Sequence, residues 1–398
     1  MKKNNLLLLL IFLVFNSLNC VSQKILRLAE NGNVTQTNYS STVPFRYENK
    51  HIFIDVSING KIYNFLFDTG ADFCIIDENY ISSADFRNVK KVKTTGSSFE
   101  KQKTQLIELT KVNISGIDFN KIGAAIMDLS FINDDFPCSN KPITGVIGAT
   151  ILRKSNWQIN YANHEIIFSD NLLNLSISDN AFELEMTHKT WGSPKVNVKI
   201  NGVDKEFIID TGSSGEITTS SDYKQELDTV TFVTINKEDK SKKAYVNYYA
   251  KIADIKIGDL VLENRIISLE KGVSSLIGNE LFENFTVTFD WQNEMVFLES
   301  EEEIISKPLL DFEIQFKPNY LSNKIEFKGL YNEELSGKNF EIGTEILTIN
   351  GIDVSNFSNE ELCNFWNIEW KKIKLYERII IETEMGKTEL VKSDLFIK

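Results

Sequence analysis

Two stretches decide how this chain folds. Ile54-Asp-Val-Ser-Ile-Asn-Gly-Lys-Ile-Tyr-Asn-Phe-Leu-Phe-Asp68-Thr-Gly70 returns as Val196-Asn-Val-Lys-Ile-Asn-Gly-Val-Asp-Lys-Glu-Phe-Ile-Ile-Asp210-Thr-Gly212, offset by 142 residues. Each copy alternates apolar and polar residues at a period of two, turns at an Asn-Gly pair, and climbs an apolar triplet into Asp-Thr-Gly. Alternation of that kind predicts half-buried strands, and Asn-Gly predicts a tight type I′ hairpin, because both central residues need positive φ.

The repeat extends outward from there. Val112-Asn-Ile-Ser-Gly116 matches Ile255-Lys-Ile-Gly258 at the same offset, and Gly145-Val-Ile-Gly148 matches Ser275-Leu-Ile-Gly278 at an offset of 130, so the first copy carries twelve extra residues. Their Asn, Asp, Ser and Pro content places them in a surface loop over Ser130–Pro142. Within the two copies helix is expected only at Ala149–Arg153 and Glu280–Asn284. An internal repeat of this length predicts two related β-lobes, over 45–170 and 181–300.

A single Asp-Thr-Gly would read as a turn. Two of them, each delivered by a buried strand and each followed by apolar-apolar-Gly, predict paired loops that bring Asp68 and Asp210 face to face across a pseudo-twofold axis. Two carboxylates that close cannot both ionise, so they share one proton and offer an acid and a base together. Such a pair can activate a water against a peptide carbonyl with no covalent intermediate, metal or cofactor.

At these residues, over about 45–300, the chain resembles the retropepsin-like aspartic peptidases, and most of all bacterial members that carry both Asp-Thr-Gly lobes in one polypeptide. The resemblance implies an all-β, bilobal, acid-protease-like pair of β-barrels with catalytic Asp68 and Asp210. It also implies active-site loops locked by Thr69, Gly70, Thr211 and Gly212, lobes closed by Gly148 and Gly278, and a flap at Thr94-Thr-Gly96-Ser-Ser-Phe that contacts substrate through Gly96. The second copy departs from the pattern: Thr234-Ile-Asn-Lys-Glu-Asp-Lys-Ser-Lys is charged and lacks Gly, so one working flap is expected. After the motifs, Ala71 faces Ser213 and Cys74 faces Glu216, which makes the two halves of the cleft unequal.

Beyond the acidic run Glu299–Glu303 and Pro308 the pattern changes. Glu341-Ile-Gly343-Thr-Glu-Ile-Leu-Thr-Ile-Asn-Gly351-Ile-Asp-Val reads as strand, turn and strand. A helix is expected over Asn359–Trp370, capped by Ser358 or Asn359, with Leu362, Phe365 and Trp366 on its core face. This stretch is similar to the Gly-Asp-x-Ile-Leu-x-Ile-Asn-Gly part of PDZ domains, with Thr344 in place of Asp and no Gly-Leu-Gly-Phe-type loop. The resemblance implies a small α+β PDZ-like domain over 305–398 that takes extended peptides by strand addition.

Composition narrows the rest. The 398 residues are 42% hydrophobic and 25% charged with 6 Pro, which excludes disordered and low-complexity classes and is long enough for several cores. A net charge of −13, with no basic cluster longer than Lys240-Ser-Lys-Lys243, argues against nucleic-acid binding. Four Cys and three His at no zinc-like spacing argue against a metal.

Lys2 and Lys3, the apolar run Leu6–Phe15 and the small residues around Val21 predict a signal peptide over 1–22, hence export to the periplasm or medium, with lipid anchoring through Cys20 as the alternative. No later segment is long and apolar enough to span a bilayer. Export leaves Cys74, Cys138 and Cys363, an odd number. Three buried free thiols is the favoured reading, with one disulfide, such as Cys74–Cys138, as the alternative. His51, His164 and His188 read as turn or surface residues.

The expected function is an exported aspartic endopeptidase acting on peptides or proteins. No membrane span and no nucleic-acid partner are expected, with a possible peptide ligand at the PDZ-like domain. A monomer is expected, because one chain supplies both halves of the dyad. The alternative is an exported peptide-binding or scaffolding protein on the same lobes that hydrolyses nothing.

Overall fold

The computed structural model describes residue 23 and residues 25–397, apart from 96–100, 135, 189–191, 223–226, 236–243, 301 and 332–340. The expected signal peptide with Cys20, the flap residue Gly96 and the charged stretch 236–243 lie outside the described residues.

The hairpins form where alternation and Asn-Gly place them. Strand His51–Ile58 buries Ile52, Ile54, Val56 and Ile58 and exposes Asp55. It returns as Lys61–Phe67 through Asn59 and Gly60, both at positive φ (50° and 83°). Lys195–Ile200 and Val203–Ile209 repeat this through Asn201 and Gly202 at 48° and 84°. Each lobe then adds a three-stranded meander, Phe86–Thr95, Lys101–Ile114 and Ile117–Met127 in the first, Thr229–Ile235, Ala244–Ile257 and Leu260–Glu270 in the second. The glycines 142 apart, Gly116 and Gly258, both sit in left-handed turns of these meanders. Each lobe closes into a six-stranded barrel, giving the all-β, acid-protease-like bilobal fold.

The feature that aims the motif loops is a short strand threaded through each lobe. Gly145–Ile147 lies parallel to Lys61–Phe67 on one side and antiparallel to Cys74–Asp77 on the other. Leu276–Ile277 does the same between Val203–Ile209 and Ile217–Ser220. Gly148 and Gly278 then start one-turn helices, Ala149–Leu152 and Asn279–Phe282. A Cβ at Gly148 would stand 2.4 Å from the Phe73 carbonyl oxygen, and one at Gly278 2.5 Å from that of Gly215, so both positions accept only glycine without a shift of backbone.

Between the lobes runs one six-stranded layer. Asn156–Asn160 pairs antiparallel with Thr286–Asp290, joining Trp157 to Phe289 and Ile159 to Val287 in register. Outward lie Glu165–Ser169 and Ser40–Pro44 on one side, Met295–Glu299 and Phe182–Thr187 on the other. A single apolar core therefore runs through both lobes, centred on Trp157 stacked 4.6 Å from Phe168. Ser40–Pro44 and Asn33–Val34 precede residue 45, and both are paired into this framework.

Residues 310–397 have their own core of Phe312, Phe316, Phe327, Ile346, Leu362 and Ile381. Glu345–Ile346, Thr348–Ile349 and Ile352–Asp353 flank the Asn350-Gly351 turn. Helix Asn359–Asn364 starts at a Ser358–Glu361 capping box and continues through a π-helical turn at Phe365–Glu369 to Ile373, three residues past its expected end. Among the described residues no helix is long and apolar enough to cross a membrane.

Two expectations need correction. Cys138 and Cys363 form a disulfide, with Cα atoms 5.5 Å apart, so the favoured reading of three free thiols fails and the alternative of one disulfide holds, with Cys363 rather than Cys74 as the partner of Cys138. Cys74 is the free thiol, buried on its strand with its Sγ accepting from the Gly148 N–H at 3.4 Å. The twelve-residue insertion is also more than a surface loop. It contains the helical turn Ser130–Asn133, and Phe136 is buried edge-on against Phe53 and His51.

Candidate active site

Each motif aspartate begins where its strand ends, held by the threaded strand: the Asp68 N–H donates to the Ile147 carbonyl (3.0 Å) and the Asp210 N–H to that of Ile277 (2.9 Å). The two loops then lock each other. Thr69 Oγ1 donates to the Ile209 carbonyl at 2.6 Å and accepts from the Thr211 N–H at 3.0 Å. Thr211 Oγ1 donates to the Phe67 carbonyl at 2.9 Å and accepts from the Thr69 N–H at 3.0 Å. Both threonines are fully buried, where unmade hydrogen bonds would be costly, so the exchange fixes the loops in one relative position.

The glycines let the carboxylates meet. A Cβ at Gly70 would lie 2.4 Å from Asp210 Oδ1, and one at Gly212 2.4 Å from the Asp68 carboxyl carbon. Each aspartate thus packs on the other lobe's glycine. Asp68 accepts from the N–H groups of Gly70 (2.8 Å) and Ala71 (3.1 Å), Asp210 from that of Gly212 (2.9 Å).

Burial pushes both carboxyls above the usual carboxylate range. For Asp68 the Asp210 charge and a hydrogen bond between the two carboxyls add to that rise, and its backbone donors oppose it. For Asp210 the hydrogen bond from Asp68, the Gly212 N–H and the charge of His51 oppose it. Two buried carboxyls bonded to each other hold one proton between them, which is a matched acid and base.

The flanks of the dyad carry residues that sequence reading passed over. Ser193 Oγ donates to the Gly70 carbonyl at 2.6 Å and lies 3.1 Å from Asp72 Oδ1, tying the start of the second lobe to the first motif loop. The repeat offset maps Ser193 onto His51, read above as a turn or surface histidine, which instead stands near Asp210 on the opposite flank. Its Nδ1 donates to the Asn49 carbonyl at 2.8 Å. Asn279 bridges the lobes: its Nδ2 donates to the carbonyls of Lys50 (2.7 Å) and Thr211 (2.6 Å), and its Oδ1 accepts from Tyr161 at 2.6 Å. The repeat offset was the available signal for His51. Asn279 gave none, because its counterpart is Ala149. No group of three or more metal-binding side chains occurs among the described residues.

Fold and site together define an acid-protease-like β protein with paired Asp-Thr-Gly loops. Residues 54–151 match the family model described as Aspartyl protease, a span that covers the first motif and the first threaded strand. No curated protein matches the chain. Among solved structures, the crystal structure of Basic 7S globulin from soybean aligns over 65% of this chain and 94% of its own, at 12% identity and a TM-score of 0.38.

Proposed function

We propose that this chain is an aspartic endopeptidase in which Asp68 and Asp210, sharing one proton, activate a water for attack on a peptide carbonyl. The ionised carboxylate takes a proton from the water, the protonated one donates to the carbonyl oxygen, and collapse of the tetrahedral intermediate passes a proton to the leaving amine. Thr69, Thr211, Gly70 and Gly212 hold the loops. The observation that carries this reading is the reciprocal packing of each aspartate on the other lobe's motif glycine, with both carboxyls pushed up by burial. The match of 54–151 to an aspartyl protease family model supports the same chemistry.

The N-terminal pattern supports export, and the strand-turn-strand and capped helix of the C-terminal region support a PDZ-like peptide-binding module there. The test is cleavage of a mixed peptide library between about pH 3 and pH 8, the range that brackets low and high dyads, beside Asp68→Asn and Asp210→Asn. Cleavage lost in either variant and blocked by a transition-state-mimicking inhibitor establishes the dyad. Peptide binding without cleavage at any pH replaces this reading with that of a peptide-binding protein.

A further inference from the structure

The C-terminal domain is fastened at two separate places, one on each lobe, and both fastenings reach elements beside the dyad. On the first lobe the fastening is covalent. The insertion between Ile117–Met127 and Gly145–Ile147 is an ordered unit: Asn133 Nδ2 donates to the carbonyls of Leu129 (3.2 Å) and Ile143 (3.0 Å), and its Oδ1 accepts from the Ile143 N–H at 2.7 Å. Phe136 packs edge-on to Phe53 and His51, with ring centroids 5.2 and 5.0 Å apart. The same apolar cluster takes in Ala71, the residue after the first motif. Cys138 stands two residues beyond Phe136 and is bonded to Cys363 in helix Asn359–Asn364.

On the second lobe the fastening is a shared sheet. Thr229–Ile235 pairs antiparallel with Lys324–Tyr331, joining Phe232 to Tyr331, Val233 to Leu330 and Thr234 to Gly329. Thr234 Oγ1 donates to the Lys328 carbonyl at 2.7 Å, and Phe232, Tyr331, Val230 and Leu395 close an apolar cluster over the join. Thr229–Ile235 belongs to the meander whose last strand, Leu260–Glu270, lies parallel to Ile217–Ser220, just after the second motif. Inside the domain the two fastenings meet in one core, where Phe316 packs 4.8 Å from Trp370 and Phe327 and Leu362 are both fully buried.

We propose that residues 310–397 brace the substrate cleft, holding the first lobe's insertion through Cys138–Cys363 and the second lobe's meander through the Thr229–Ile235 pairing, and so set how the cleft admits its peptide. The two lobes already share a sheet at their base. The brace adds a second connection, so cutting either fastening frees the wall it held while the other wall stays in place. The kinetic arm of the test rests on the peptidase reading; the exchange arm does not.

The experiment compares the full chain with Cys138→Ser/Cys363→Ser and with Gly329→Val, whose side chain would collide with the Phe232 ring, 2.4 Å from a Cβ placed there. Hydrogen exchange is followed over 128–143 and 229–257, and kcat and KM are measured on a peptide selected from the library. In the double serine variant, exchange over 128–143 should quicken about tenfold or more with 229–235 kept at its native protection. Gly329→Val should give the mirror image. Both should raise KM about three- to tenfold while kcat stays within about twofold.

Native exchange over 128–143 in the double serine variant overturns the brace. So does faster exchange with an unchanged KM, which would make the disulfide a staple of the insertion with no effect on how the cleft takes its peptide. If the serine variant does not fold, brief treatment of the native chain with dithiothreitol cuts the same bond, each sulfur leaving as a thiol while the reagent becomes a cyclic disulfide, and the same shift is expected. If no peptide is cleaved, the exchange arm decides by itself.

Discussion

Glu216 and Cys74 occupy the same place in the two lobes, and the difference between them is an ion pair. In the first lobe a buried thiol suffices. In the second, Glu216 is held by Arg265, whose Nε lies 2.6 Å from Oε1 and whose remaining guanidinium reaches the Ile305 carbonyl at 3.1 Å. Burial still pushes the Glu216 carboxyl up, more than Arg265 pulls it down. Removing the arginine alone should therefore be severe: Arg265→Met is expected to cost about 3–5 kcal/mol at neutral pH, because it strands a buried carboxylate. A carboxyl raised in the folded state favours folding below its unfolded value and loses that contribution as pH rises through the folded one, so the deficit should shrink on acidification. Glu216→Leu/Arg265→Met should recover most of the loss. Thermal unfolding at about pH 4, near the ordinary glutamate value, and at about pH 7 reads all three. The inequality of Cys74 and Glu216 was visible in the repeat, but the partner was not, because Arg265 lies on a distant strand whose counterpart in the first lobe is Gly123, packed against Leu28.

Among elements, the strands were legible and their partners only partly so. Period-two alternation and Asn-Gly chemistry are local, which is why the hairpins at Asn59-Gly60 and Asn201-Gly202 and the one-turn helices after Gly148 and Gly278 lie where the residues place them. The central layer is different. Nothing local in Asn156–Asn160 says that it pairs with Thr286–Asp290, and nothing in Cys138 says that its partner lies 225 residues away in the next domain. Such pairings depend on where the chain returns, not on what any segment prefers. Asn279 is the residue that makes the return of the second lobe specific, since it joins Lys50, Thr211 and Tyr161 in one buried network. Asn279→Ala should cost about 1–3 kcal/mol for the carbonyls and hydroxyl it leaves unpaired. It should also lower kcat/KM by loosening the second motif loop. Asn279→Asp keeps the acceptor for Tyr161 but loses both donated bonds, so it should not rescue. Denaturant unfolding and steady-state kinetics on the two variants check this.

Across the whole molecule, two lobes from one repeat trap a pair of carboxyls that neither lobe would hold alone, and the trap has a thermodynamic signature independent of any substrate. Asp68 and Asp210 are both raised by burial, and Asp68 further by the charge of Asp210. Their neutral forms are therefore favoured by folding: the contribution is complete below the unfolded carboxyl value of about 4 and is lost as pH rises through the folded values. Asp68→Asn removes the titration while keeping shape and, through its side-chain oxygen, an acceptor for the Gly70 and Ala71 N–H groups. The variant should melt above the native chain at about pH 7 and approach it near pH 4, while cleavage falls by at least about a hundredfold throughout. His51 supplies the asymmetry. Its charge favours the ionised form of Asp210, so His51→Ala should raise that carboxyl further and move the acidic limb of the kcat/KM profile to higher pH. The same substitution in the Asp68→Asn background gives a melting profile free of the partner's proton, in which only Asp210 of the dyad titrates. If His51 acts on Asp210, the loss of stability with rising pH should extend to higher pH in the double variant than in Asp68→Asn alone. Superimposable melting profiles would instead assign His51 to packing against Phe136.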